Sequence, residues 1–264
     1  QNTFGCISVV ATANLIKQPE TPLPLIVDGF LCVNQITGVP FKTYTLETGL
    51  SAATHTFAWF FNGGPLPDTT SFLEATQPGD YGVIATNTSG CSSALIIAHV
   101  GESFPGTSFS TSIINQFSND TAIIVTLNSG NAQFLYQLDN GPWQQSNVFS
   151  SVDPGTHTIR VSDVNGCTNL TTDITVLGYV PFFTPNGDGY NDTWNIIGLK
   201  DQPSAKIHIF DRYGKYIKQI SPTTDGWDGN MNGHPLPSTD YWFSVEYTEN
   251  GQGKEFKGHF SLVR

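Results

Sequence analysis

The chain has 264 residues, with 22 acidic against 11 basic side chains and a formal net charge of −11. That acidity excludes a nucleic-acid binder, which needs a basic face, and an aromatic content of 12% excludes a disordered chain. No apolar run approaches the ~18 residues that cross a bilayer as a helix, and the length suggests two to three domains.

In chain order, residues 1–21 read as the tail of a preceding module. Gly5 and Cys6 are followed by Ile-Ser-Val-Val-Ala-Thr, and with no initiator Met we expect a piece of a longer array. Residues 22–101 form a first complete module, with a strand expected at His55–Phe61. Residues 102–178 form a second, with strands expected at Ala122–Leu127 and Phe134–Leu138. A constant offset of 76 relates the two: Pro78-Gly79 matches Pro154-Gly155, and both segments end in Gly-Cys, at Cys91 and Cys167. Between these points Tyr81, Val83 and Ala85 alternate like His157, Ile159 and Val161, the period of a strand with one buried face. Fixed-period similarity marks a modular array. Short Val/Ile/Thr/Phe/Tyr runs punctuated by Gly, Pro, Asn and Asp continue to the end, with strands at Lys206–Phe210, Tyr216–Ile220 and Tyr241–Tyr247. The fold class is therefore all-β: tandem immunoglobulin-like β-sandwich modules, without the antibody strand spacing.

Cys32 and Cys91 open and close the first module, with Trp59 between them. In an oxidising compartment a Cys32–Cys91 bridge would close a loop of about 60 residues and stabilise by about 3–4 kcal/mol; the alternative is two buried thiols. A Cys6–Cys167 bridge would skip a module, so Cys6 is expected to pair upstream. Around the Asp139-Asn-Gly turn, where Asn or Gly is expected to supply a positive φ, Trp143 and Tyr136 offer either a glycan face or ordinary core packing, and packing is favoured. The loop at Asn186, Asp188, Tyr190 and Asp192 gathers hard oxygens on a Gly-rich backbone, as calcium requires. Its alternative is a turn whose carboxylates cap backbone N–H groups. The six His show no zinc-ligand spacing, and no nucleophile elbow or phosphate cradle is present, so no enzyme is expected unless a catalytic region lies upstream.

Residues 179–264 differ in kind. They hold 8 of the 11 basic residues and three of the five Trp. Their motifs run Tyr179-Val-Pro-Phe-Phe-Thr-Pro-Asn-Gly-Asp-Gly-Tyr-Asn-Asp-Thr-Trp194, Ile209-Phe-Asp-Arg-Tyr-Gly-Lys215, Gly226-Trp-Asp-Gly229, Leu236-Pro-Ser-Thr-Asp-Tyr-Trp242 and Gly258-His-Phe-Ser-Leu-Val-Arg264. This segment closely resembles the gliding-motility-associated C-terminal domain of Bacteroidota, the type B sorting domain of the type 9 secretion system. The resemblance implies export through the periplasm and outer membrane to the cell surface or beyond. It also implies two partners, the type 9 translocon and an outer-membrane β-barrel shuttle protein. Phe256–Val263 reads as a closing strand at a sheet edge, and an ordinary closing strand fits the same residues; it is the resemblance that implies export recognition on Gly258, His259, Phe260, Ser261, Leu262, Val263 and Arg264, by strand addition. Bacteria of this group O-glycosylate Asp-Ser/Thr-small or apolar tripeptides, which nominates Thr69 and Thr121. The upstream modules are then a non-catalytic spacer, or alternatively adhesin modules that bind a surface glycan.

Overall fold

The computed structural model describes residue 13, residues 17–249 and residues 251–264; the proposed tail's Cys6 lies outside them. No helix is present among the described residues. The chain divides into two compact units, the first ending at Pro105 and the second spanning Gly106–Arg264.

The first unit holds β1 (Gly29–Val33), β2 (Pro40–Lys42), β3 (Tyr44–Glu47), β4 (His55–Phe61), β5 (Gly64–Pro65), β6 (Phe72–Ala75), β7 (Gly79–Asn87) and β8 (Ile96–Ser103). Six of them form one sheet in the order β2-β1-β8-β7-β4-β5, and β3 pairs with β6. Alternation drives Phe57, Trp59, Tyr81, Val83 and Ala85 inward against Leu46 and Leu73. The Trp59 indole N–H is satisfied by the Thr70 carbonyl at 2.9 Å, as a buried donor requires.

The second unit begins with β9 (Phe109–Ile114), β10 (Ala122–Leu127), β11 (Phe134–Leu138), β12 (Val148–Ser150), β13 (Gly155–Asp163) and β14 (Asn169–Val176). They form two three-stranded sheets, β12-β10-β9 and β11-β13-β14, over a core of Ile123, Val125, Tyr136, Phe149, Ile159, Val161 and Val176. The positive φ of the turn after β11 falls on Asp139, at 52°, not on the Asn or Gly after it. Tyr136 belongs to the core and Trp143 is 46% exposed, so the two do not share a surface.

The terminal part adds β15 (Gly178–Tyr179), β16 (Phe182–Phe183), β17 (Ile196–Ile197), β18 (Lys206–Phe210), β19 (Tyr216–Ile220), β20 (Asn230–Met231), β21 (His234–Pro235), β22 (Thr239–Glu249) and β23 (Gln252–Leu262). Its main sheet has the order β16-β23-β22-β18-β19.

The 76-residue offset survives in three dimensions. β7 and β13 begin and end at equivalent positions. After β7 the Asn87 side chain accepts the N–H groups of Ser89 and Cys91; after β13 Asp163 does the same for Asn165 and Cys167. A second device recurs in all three modules. The Tyr81 hydroxyl donates to the Gln77 carbonyl, four residues back, at 2.9 Å. The Tyr241 hydroxyl donates likewise to Pro237 at 2.9 Å. In the middle module His157 Nε2 lies 2.8 Å from the Asp153 carbonyl. This is the tyrosine corner of immunoglobulin-like sandwiches, with imidazole replacing phenol once.

The Cys32–Cys91 bridge is not made. Cys91 is a free, half-buried thiol, whereas Cys32 is disulfide-bonded. The sheet explains why. Gly29 and Gly79 both register with Val100, Cys32 registers with Ser103, and Cys91 follows the far end of β7. The two sulfurs thus sit about eleven residue steps apart along the strands, roughly 35 Å, where a bridge tolerates Cα atoms no more than about 7 Å apart.

The histidine corner makes the middle module sensitive to pH. His157 Nδ1 lies 2.8 Å from Asp139 Oδ2, so both ring nitrogens face acceptors and the imidazolium satisfies both. Burial lowers the His157 pKa, but the Asp139 and Asp153 contacts outweigh it and the net direction is upward; the His157 contact leads the lowering of Asp139. The histidine contribution is complete below its ordinary value near 6.5 and is lost as pH rises through the raised value. The Asp139 contribution is lost as pH falls through its lowered value. We expect this module's unfolding midpoint to be higher at pH 5.5 than at pH 8. His157→Tyr, which installs the phenolic corner, should flatten that dependence in pH-resolved thermal unfolding.

Candidate functional site: the terminal sheet edge

The terminal domain is built around two tryptophans. Trp194 and Trp227 exchange main-chain hydrogen bonds of 2.9 and 2.8 Å, and both rings are fully buried. Their indole N–H groups donate to the carbonyls of Val180 and Asn230. The Trp194 ring stacks on Phe260 of β23 with centroids 3.8 Å apart. Gly226 has φ +110°, and a Cβ there would lie 2.4 Å from the Trp194 carbonyl oxygen, so only glycine lets the two tryptophans close. The chain end is tied to the same turn: Arg264 Nη2 donates to the Gly229 carbonyl at 3.1 Å, and the Arg264 N–H donates to Ser238 Oγ.

These contacts redistribute the expected recognition residues. Phe260 and Leu262 are core. Gly258 lies under the Phe243 ring, which a Cβ would approach to 2.7 Å. Ser261 Oγ donates to Asp240 at 2.6 Å, His259 is exposed beside Trp242 with ring centroids 6.0 Å apart, and the Val263 side chain is exposed. The expectation of a free edge along the whole closing strand is corrected. The Ser261 and Val263 N–H groups donate to the Pro181 and Phe183 carbonyls at 2.8 and 3.0 Å, because β16 pairs in parallel with the end of β23. Backbone direction alternates along a strand, so Gly253, Glu255, Lys257 and His259 also face away from β22. They have no backbone partner among the described residues. The open window therefore lies mostly upstream of the nominated segment, at 253–259.

The nominated metal residues form a self-capped loop. Asp192 Oδ1 and Oδ2 accept the Gly187 and Gly189 N–H groups, each at 2.7 Å. Asp188 Oδ1 accepts the Tyr190 N–H at 2.8 Å and Oδ2 accepts the Asn186 side-chain amide. The Tyr190 N–H bond leads the lowering of the Asp188 pKa. The Tyr190 carbonyl accepts from Thr184. Every carboxylate oxygen of the pair thus already has a donor, and no group of three or more His, Cys, Asp or Glu is placed to hold a metal among the described residues.

The two nominated threonines part company. Thr69 is exposed in the loop between β5 and β6. Thr121 is 1% exposed, and its hydroxyl donates to the Asn115 and Ser118 carbonyls, both at 2.7 Å. In the folded domain it is closed to a glycosyl donor, and the Thr121 expectation is withdrawn on that ground.

Residues 177–262 match the family model described as the CHU_C type IX secretion signal domain. This segment is a type IX secretion signal domain. It marks the chain for export to the cell surface or for release. No curated protein matches the chain. Among solved structures it is similar to three N-terminal domains of the bacteriophage RB49 outer capsid protein Hoc, at 13% identity and TM-score 0.29, covering 89% of this chain and 95% of that one. It is also similar to fibronectin(III)-like modules of Clostridium thermocellum CbhA, at 11% identity and TM-score 0.34, covering 58% and 90%. Domains 3–5 of Drosophila OTK follow at 11% identity and TM-score 0.21, covering 94% and 100%. No helix among the described residues is long and apolar enough to cross a membrane.

Asp192→Ala removes the acceptors of the Gly187 and Gly189 N–H groups and should destabilise the terminal domain by about 1 kcal/mol. EDTA should leave the wild-type unfolding midpoint where it is; a fall of several degrees on chelation, restored by calcium, would return the loop to the metal reading.

Proposed function

We propose that the chain is the C-terminal part of a non-catalytic exported protein, whose terminal domain is read by the type 9 translocon through the open edge of β23. We propose further that the two upstream modules serve as a spacer. The observation that carries the recognition step is the row of outward backbone groups at Gly253, Glu255, Lys257 and His259 beside the sealed stretch at Ser261 and Val263. Unpaired strand edges accept a further strand through main-chain hydrogen bonds, and the sealed end fixes where such a strand must stop. An outer-membrane β-barrel shuttle protein fits the role of partner. The glycan-binding alternative has no aromatic platform in its favour at Trp143 and Tyr136. Thr69 keeps its place as the proposed glycosylation site, being exposed.

The edge can be tested without breaking the fold. Proline at an outward position removes an N–H that no ladder bond uses. Lys257→Pro should therefore leave the circular dichroism and unfolding transition close to wild type, while export of the chain drops at least several-fold in a host with this secretion system. Undiminished export of a folded Lys257→Pro chain would remove the edge from the mechanism. Intact mass of the secreted protein checks the modification: an added glycan is expected on Thr69 and none on Thr121.

A further inference from the structure

Strands β22 and β23 are longer than the sheet that supports them. Pairing of β18 with β22 ends at Lys206 and Glu246, whereas β22 and β23 remain paired through Glu249 and Gln252. Residues 247–249 and 252–254 thus form a two-stranded ribbon projecting past the third strand. A two-stranded ribbon alone is marginal in water, so what holds it matters. On one side the Gln202 side chain accepts the Thr248 N–H at 2.8 Å and donates to the Thr248 carbonyl at 2.9 Å. The other hold comes from the preceding module. Phe117, in the loop between β9 and β10, packs on the terminal core. Its ring stacks on Phe256 with centroids 4.3 Å apart and planes 10° from parallel, and meets Tyr247 edge-on at 5.6 Å. Its neighbour Gln116 donates to the Glu249 carboxylate and accepts the Leu177 N–H at 3.1 Å. The Phe117 N–H donates to the Leu177 carbonyl.

The loop is forced into this shape. Asn115 and Phe117 have φ of 56° and 64°, a region that a bulky side chain enters at a cost. The buried Thr121 hydroxyl, bonded to the Asn115 and Ser118 carbonyls, pins the turn from inside its own module. A strained turn that delivers an aromatic ring onto a neighbouring domain is an outlier with an evident use.

We infer that Gln116 and Phe117 are positioning residues of the export signal: they clamp the ribbon so that the open edge of β23 is ordered only while the preceding module is folded. This rests on the sorting reading proposed above. The functional signal then extends beyond residues 177–262, to a loop some sixty residues upstream of the family match.

Amide exchange and export of the full chain test this together. In Phe117→Ala the bonded ribbon amides of Tyr247, Thr248, Glu249, Gln252 and Lys254 should exchange about tenfold faster, the loss of one aromatic pair, while the amides at 207–209 and 243–245 keep wild-type protection. Export should fall several-fold, and Phe117→Tyr, which keeps the ring, should restore both. Phe117→Gly guards against misfolding of the module, since it removes the ring and relieves the left-handed φ; it should reproduce the alanine result. Unchanged ribbon exchange overturns the clamp. Faster ribbon exchange with undiminished export overturns its part in the signal. A wild-type chain that is not exported overturns the sorting reading instead, while exchange still decides the clamp.

Discussion

The terminal domain depends on the stack of Trp194 on Phe260. Trp194 lies in the first third of the domain, its main-chain partner Trp227 sits in the Gly226–Gly229 turn, and Phe260 lies two residues before the end of β23. One contact therefore gathers segments that are distant in sequence. Burying rings of this size contributes more per residue than any aliphatic core position, and the Trp–Trp main-chain bridge removes polar groups that would otherwise be costly inside. With the three segments together, β16 lies in parallel beside the end of β23, and Arg264 has its carbonyl at Gly229. The chain end, usually the first part of a domain to fray, is thus held in place.

A second constraint unites the modules. Each corner before a central strand needs a donor for the carbonyl four residues back, and Tyr81, His157 and Tyr241 all supply one. Phenol does this at any physiological pH. Neutral imidazole has a single N–H, and with Asp139 on Nδ1 only the imidazolium serves both acceptors. The substitution keeps the geometry and changes the electrostatics. The upstream modules are therefore alike in architecture while differing in their response to solvent.

Local patterns carried most of the fold. His55–Phe61, Ala122–Leu127, Phe134–Leu138, Lys206–Phe210 and Tyr216–Ile220 are strands with the expected bounds, because alternation and turn residues are written within each segment. The repeat was legible in its Pro-Gly turns, its alternation and its Gly-Cys ends, and the structure adds that Asn87 and Asp163 do the same capping at equivalent positions. The sulfur pairing was not, since sequence distance does not reveal that Cys32 and Cys91 leave the sheet at opposite ends. Nor was the seal on β23: two residues, Phe182 and Phe183, pair with a strand almost eighty residues later, and no periodicity signals a partnership so short. Phe117 was hidden for the same reason. An isolated aromatic in a polar loop has no pattern, and its role follows only from a positive φ and from the ring it meets.

An open edge is a hazard for an exported chain, because it can pair with any unfolded neighbour. Here the hazard is contained in two ways. The end of the strand is capped by β16, and the window that remains carries Glu255, Lys257 and His259, with an ion pair of 3.1 Å between the first two. Charges on an edge discourage indiscriminate pairing yet leave the backbone groups intact for a partner shaped to accommodate them. A fully sealed sheet would be safer but would offer no main-chain template, and a fully open one would aggregate before it was read. The partial seal is the arrangement that satisfies both demands, and the clamp from the preceding module adds a condition of its own: the window is rigid only on a chain that has already folded upstream.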